Sequence, residues 1–565
     1  MDESQILSQL HKELRLDLWW HDLLGQEAKK QQFDFDKARD AIPRSDNTAA
    51  QMIAYKLTGS LSYNEYRDQW YIWNGIIHQP CDGIGIAIKI VKLFHQAVTK
   101  ALEFVDECLA YKVGQIQKDG SLPNPSEVAV QFGKKMTAAF KPGKAFRDKI
   151  ASNAGTNAVA SSLKTEIDVP RDYYDNDQRW FVCRNGVIDI EALKAQDWDH
   201  WFVPHSPERN VTKMFDAEYR PGENLGHWDS FLERSVPDKD SRLFLQKAVG
   251  AAFMATVKPR VIINFYGPRR SGKSEFTGLM EQLGHSGAGY CAMPDSKSVN
   301  KQANQNFEQD EFKGRRFIGV SEPDHREPID DDFLKRFSGD IKVTTRTLNK
   351  KSDSWTPQGI LFVASNDPLK VNTRDDAIVK RIHTIEFPVH FESGPGIPEE
   401  RRAIGNISEL LLQDRSRVLE WIIQGMLLFI DDKMSLIDHA PQKVLEHQDN
   451  MVVVNSTALR WLGDMIEDEF IYIDSFVDMK HCISVNDAYA RYEMWTRLNG
   501  ERFPMKKLYF KEDIERRYHI TAQQYKGTKV FPGIVKTEKY RRKFDARNVS
   551  NPEEQSHEPP TGFNY

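Results

Sequence analysis

Residues 265–274 (FYGPRRSGKS) limit the fold of this chain more than any other stretch. They follow an apolar, β-branched run at 261–264 (VIIN) and precede a run with helical spacing (EFTGLMEQLG), which predicts strand, tight loop and helix in succession. Gly267, Gly272, Lys273 and Ser274 fit G-x-x-x-x-G-K-[ST]. In that pattern the glycines let backbone N–H groups wrap phosphate oxygens, the lysine meets the outer phosphates and the hydroxyl ligates Mg²⁺. A plain glycine-rich turn is the alternative, and the strand before it and the helix after it count against that reading. The expected nucleotide-binding set is Gly267, Pro268, Arg269, Arg270, Ser271, Gly272, Lys273 and Ser274, with Ser274 the metal ligand.

A chain of 565 residues is too long for one core and should divide into about three or four domains. Its net charge of −5 neither supports nor excludes nucleic acid, so any such contact must come from local basic patches. Five cysteines, at 81, 108, 183, 291 and 482, form no C-x-x-C and suggest reduced thiols rather than a zinc site. The first residues are acidic and interrupted by charge, and no run approaches ~18 apolar residues, so neither secretion nor a membrane span is expected.

Residues 1 to about 130 read as mostly helical, with apolar positions such as Ile86, Ile90, Val91, Phe94 and Val98 at helical spacing. Within them, 63–73 (YNEYRDQWYIW) reads as a short hairpin region whose aromatics belong to a core rather than stacking on bases. The alternating acids Asp34 and Asp36 invite comparison with a catalytic metal pair, but their flanks are not strand-like and a helix-capping cluster is expected. A linker or turn is expected at 114–128, a basic solvated helix face at 134–149, and a hairpin at 181–190 around Asn185-Gly186. Beyond the phosphate loop, the apolar run 317–320 ends at Ser321-Glu322, where an enzyme of this kind places its metal-holding or water-polarising acid. The run 359–364 ends at Ser365-Asn366, a polar residue placed to sense a γ-phosphate, and Arg381 precedes a further strand.

In this order, the phosphate loop, the strand ending at Glu322, LKRFSGDIKVTTRTLNKKSDSWTP (334–357), FVASNDP (362–368) and KRIHTIEFP (380–388) resemble a superfamily 3 helicase, of the type found with phage and plasmid primases and in poxvirus replication proteins. The resemblance covers about residues 180–430, with NGVIDI upstream and VLEWIIQGMLLFI downstream. It implies that Glu322 polarises the attacking water, Asn366 is the polar sensor, Arg381 is an arginine finger, and Lys350 and Lys351 lie in a hairpin touching DNA. Two departures stand out. Ser321 replaces the first of the paired acids of many members, and Arg269 and Arg270 replace small residues. From 505 to 543 there are twelve Lys/Arg against four Asp/Glu, in a pattern similar to the winged helix that often closes this family.

The expected architecture is α/β: a P-loop NTPase motor, AAA+-like, with a helical N-terminal domain at 1–175, a lead-in at 176–240, the ATPase at 241–432, a linker at 433–454, a winged-helix-like domain at 455–545 and a disordered tail at 546–565. The resemblance implies ATP and Mg²⁺ as cofactors, single-stranded or forked DNA as substrate and a hexameric ring. It implies action in the cytoplasm of a host cell, and it leaves room for a separate primase or polymerase. Two other readings stay open: an origin-binding initiator that uses ATP as an assembly switch, and a primase-helicase with primase activity in the N-terminal part.

Overall fold

The computed structural model describes residues 18–24, 29–256, 260–285, 289–299, 309–321, 329–339, 342–345, 353–501 and 504–545, with three isolated positions before residue 18. Glu322, Lys350, Lys351 and the tail at 546–565 lie outside the described residues.

In the N-terminal part, Asp34 accepts hydrogen bonds from the backbone N–H groups of Asp36 and Lys37 and so starts helix α1 (Phe35–Ala41). Asp34 is therefore a helix cap, and Asp36 lies in the first turn, paired with Arg39 at 2.9 Å. Helix α2 (Asp46–Lys56), capped by Ser45, leads into an antiparallel meander of β1 (Leu61–Asn64), β2 (Gln69–Trp73) and β3 (His78–Cys81). Tyr63, Trp70, Tyr71 and Trp73 are buried, so these aromatics are core as expected. Helix α3 (Gly83–Gln117) buries Ile86, Ile90, Phe94, Val98 and Val105 along one stripe, and α4 (Pro125–Ile150) and α5 (Asn153–Glu166) pack against it. The linker expected at 114–128 is shorter, because α3 continues through Gln117 and α4 begins at Pro125. One apolar core, from Trp19 to Ile167, holds this part together.

The hairpin of β4 (Trp180–Cys183) and β5 (Gly186–Asp189) turns at Arg184-Asn185, one residue earlier than expected, because Gly186 pairs with Cys183. A Cβ on Gly186 would lie 2.3 Å from the ring of Phe202 in β6 (Phe202–Val203), so this glycine serves packing. Helices α6 (His227–Ser235) and α7 (Lys239–Met254) follow. Phe181, Phe215 and Trp228 belong to the same core as the parallel sheet, so the segment expected as a separate lead-in is built into the unit that carries the sheet.

That sheet contains β7 (Ile262–Tyr266), β8 (Cys291–Ala292), β9 (Phe317–Ser321), β12 (Ile360–Ser365) and β13 (Ile382–Glu386), in the order β13-β7-β12-β9-β8 and parallel throughout. Burial on both faces explains why these strands are nearly continuous apolar runs. Helix α8 (Lys273–Gly284) follows β7, and α9 (Asp331–Phe337) precedes the antiparallel pair β10 (Val343–Thr345) and β11 (Asp353–Trp355). Helix α10 (Arg415–Asp431) crosses α7 backbone to backbone: a Cβ on Gly250 would lie 2.2 Å from the carbonyl carbon of Gly425.

The expected linker at 433–454 is largely helix α11 (Gln442–Asn455). Its Met451 enters the core with Ile262, Leu361 and Ile382, and the Gln448 side chain donates to Ile382 O at 2.7 Å. Beyond it, α12 (Thr457–Glu467), β14 (Ile471–Ile473), β15 (Cys482–Ser484), α13 (Val485–Leu498), α14 (Lys507–Tyr518), β16 (Gln523–Tyr525) and β17 (Thr528–Lys536) form a unit around Trp461, Tyr492, Phe510 and Phe531. The β16–β17 hairpin turns on Lys526 and Gly527, with φ of 47° and 81°, the positive pair that a two-residue turn needs.

Candidate functional site

The strand β7 runs two residues further than its apolar run suggests, to Tyr266, and α8 opens directly at Lys273. The chain between them reverses on Gly267 (φ 152°), Arg270 (φ 57°) and Gly272 (φ 96°). A side chain at Gly267 would meet the carbonyl oxygen of Phe387 at 2.1 Å, and one at Gly272 would meet Ser235 Oγ at 2.6 Å. Both glycines are thus required by close approach as well as by backbone conformation. His390 Nδ1 lies 2.7 Å from Arg269 O and Phe391 N–H donates to Arg270 O, which fixes the outer side of the loop.

Lys273 is only 6% exposed, and its ammonium donates to Gly267 O and Pro268 O, each at 2.7 Å, and to Ser271 Oγ at 3.1 Å. Gly272, at the N-cap of the twelve-residue α8, supplies no capping side chain. The first turn of the helix, with the positive end of its dipole, therefore lies without a side-chain cap beside a buried ammonium. Phosphate suits such an end. Ser274 is exposed at the first turn, and Arg269 and Arg270 are exposed on the outer side of the loop.

The registers place the ends of three strands at one edge. Ser365 is level with Tyr266, and Ala364 is level with Ser321. Asn366 follows Ser365 directly, so the structure brings the polar sensor candidate to the edge where the 267–274 loop begins. Sequence reasoning missed the polar ladder beneath that edge. Ser365 Oγ donates to Asn264 Oδ1 at 3.0 Å, and Asn264 Nδ2 donates to Thr384 Oγ1 at 3.2 Å, linking β12, β7 and β13. An asparagine inside an otherwise apolar inner strand was the available signal, since a buried amide needs hydrogen-bond partners.

Arg381 stands at the other end of the sheet. It precedes Ile382, which is level with Ile262, and its carbonyl accepts from Ile262 N–H. Arg381 itself is thus level with Val261, six residues before Gly267, about 20 Å at about 3.3 Å per residue. Its Nη1 donates to Lys335 O at 3.1 Å and Ser338 Oγ at 3.0 Å, on the C-terminal end of α9. The structure therefore does not bring Arg381 to the loop of its own chain. Next along the strand, His383 is 1% exposed against Phe244, and burial pushes its imidazole down to about 4.

The segment between Asn366 and Arg381 is held from outside the sheet. Arg374 Nε donates to Asp513 of α14 at 3.2 Å, Ser456 Oγ donates to the other oxygen of Asp513, and the Asn455 side chain donates to Leu369 O. The C-terminal unit thus grips the chain that joins the two candidate residues.

The family described as D5 N terminal like matches residues 50–237. A proposed helicase of Acanthamoeba polyphaga mimivirus is 23% identical over 56% of this chain and 32% of its own length. A proposed primase of African swine fever virus is 23% identical over 39% of this chain and 23% of its own length. The chain thus spans about a third or less of these curated relatives. Among solved structures, the NrS-1 C-terminal region aligns with a TM-score of 0.31 at 12% identity, over 55% of this chain and 76% of that one. Among the described residues no helix is long and apolar enough to cross a membrane.

Proposed function

We propose that this chain is an ATP-dependent DNA helicase of the superfamily 3 type, serving replication of a virus or virus-like element in the host cytoplasm. The observation that carries the reading is Lys273: a buried lysine at a helix N-terminus without a capping side chain, on a loop that follows an inner strand of a parallel sheet. The matches to proteins named as a viral helicase and a viral primase support the replication setting.

In this reading the Lys273 ammonium exchanges the carbonyls of Gly267 and Pro268 for β- and γ-phosphate oxygens, and the N–H groups of the loop receive the remaining charge. Mg²⁺, held at Ser274, would neutralise phosphate charge during transfer. Glu322 polarises water and Asn366 senses the γ-phosphate. Arg381 serves the neighbouring subunit of a hexameric ring, which fits its position far from the loop of its own chain. The antiparallel pair β10–β11, flanking Lys350 and Lys351, fits a DNA-contacting hairpin. The C-terminal unit, with three helices and a hairpin carrying exposed Lys506, Lys507, Arg517, Lys526 and Lys529, fits a winged helix on a duplex or fork.

Strand displacement on forked DNA, measured with and without ATP, tests the proposal. ATP-dependent displacement that is lost in Lys273→Ala supports it. ATP hydrolysis with duplex binding but no displacement would favour the initiator reading.

A further inference from the structure

Outside the motor site, a cleft of about 900 Å³ opens beside the start of β4, lined among others by Arg171, Tyr173, Arg179, Trp180, Arg209 and Asn210. It is too large for a lone phosphate and within the size range of nucleotide-sized ligands. Arg179 and Arg209 both lie on the indole of Trp180, with guanidinium carbons 4.0 Å and 4.8 Å from the ring. Two like charges share one aromatic ring, so each gains from a nearby anion.

The acids of the cleft do not supply that anion evenly. Asp177 pairs with Arg179 at 3.1 Å and Asp172 lies 4.0 Å from Arg171, while Glu208 accepts from Ser206 Oγ. Arg209 has no carboxylate within ion-pair distance among the described residues. Its Nη1 donates to Pro204 O at 2.8 Å, and its Nε is buried without a hydrogen-bond partner. Burial and the charge of Arg179 lower its proton affinity, against the opposing pull of the more distant Asp189 and Glu208 carboxylates.

We infer that this cleft is a second strand-binding site: Arg209 and Arg171 take phosphodiester oxygens of single-stranded nucleic acid, and Tyr173 receives a base. A guanidinium meets two phosphate oxygens in a fork, and an aromatic face takes any base. The inference rests on the reading that the chain works on nucleic acid. The cleft is also fastened to the motor. Arg316, buried immediately before β9, donates to Gln178 O and Trp180 O at 2.8 Å each and to Phe253 O at 2.6 Å. A strand held here is attached to the backbone that leads into the candidate catalytic edge.

The test uses the full chain and a labelled oligothymidylate, with binding followed by fluorescence anisotropy over a range of salt concentrations and without nucleotide. Arg209→Gln should lower the salt slope by about 0.7, and the Arg171→Gln, Arg209→Gln pair by about 1.4. Arg209→Lys, which keeps the charge, should keep most of the slope. ATP hydrolysis without DNA should be unchanged in all three, which also reports that they fold. An unchanged slope in the double variant with intact basal hydrolysis would overturn the cleft and leave the motor standing. Slope loss in a chain whose wild type hydrolyses no ATP would keep the cleft and overturn the motor. A wild type that binds no oligonucleotide overturns both.

Discussion

If Arg381 acts on a neighbouring subunit, two different inactive variants should rescue one another. Lys273→Ala removes the ammonium from the loop, and Arg381→Ala removes the finger about 20 Å away at the opposite end of the sheet. The second change also deletes the hydrogen bonds to Lys335 O and Ser338 Oγ, each about 1.5–3 kcal/mol for a charged donor, a loss that a domain of this size can absorb. Arg381 need not abandon these bonds to act, because its Nε and Nη2 make no hydrogen bond among the described residues. In an equal mixture, half of the loops are intact and half of the neighbours donate an intact finger. About a quarter of interfaces are then complete, so ATPase should return to about a quarter of the wild-type rate. A coupled-enzyme phosphate assay reads the rate, and exchange of two fluorescent labels verifies mixed rings. No recovery in rings shown to be mixed would place Arg381 outside the reaction.

Two further predictions concern the scaffold that holds the site. The His383 imidazole is neutral in the fold, with its pKa near 4 against 6.5 when unfolded, so its stabilising effect is complete above pH 6.5 and is lost as pH falls towards 4. At pH 5 the loss is about 2 kcal/mol, and urea titrations of His383→Phe should lack that component, whereas an identical pH dependence in the variant would refute the assignment. Gly250→Ala should destabilise by about 1–3 kcal/mol because its Cβ meets the Gly425 backbone. Gly278→Ala, with open space around its Cβ on α8, should stabilise by up to about 1 kcal/mol, and equal shifts in thermal melts would contradict the packing argument.

The parts of the site that depend on local chemistry were legible in the sequence. An apolar run, two glycines at fixed spacing and a helical run marked the turn from β7 into α8, and an apolar run that ends in Ser365-Asn366 marks a strand end. What depends on tertiary packing was not legible. The stretch 433–454 looks polar enough for a linker, yet buried Val444 and Met451 and the Gln448 bond to Ile382 O dock α11 on the sheet. The hairpin at 181–190 turns on Arg184-Asn185, because the demand on Gly186 comes from Phe202, sixteen residues later in the chain. Lys273 was expected to face phosphate, but its bonds to Gly267 O and Pro268 O could not be read from spacing. The paired arginines on Trp180 come from segments about thirty residues apart and carry no motif.

The central claim is that Lys273 and its loop drive strand separation with ATP, and one comparison tests it most directly. Purified wild type and Lys273→Ala are each given a forked duplex with a fluorophore and quencher on its two strands, and ATP is added. Fluorescence should rise with ATP in the wild type and not in Lys273→Ala, with both proteins still binding the fork. Equal displacement by the two proteins, or displacement without ATP, would contradict the claim.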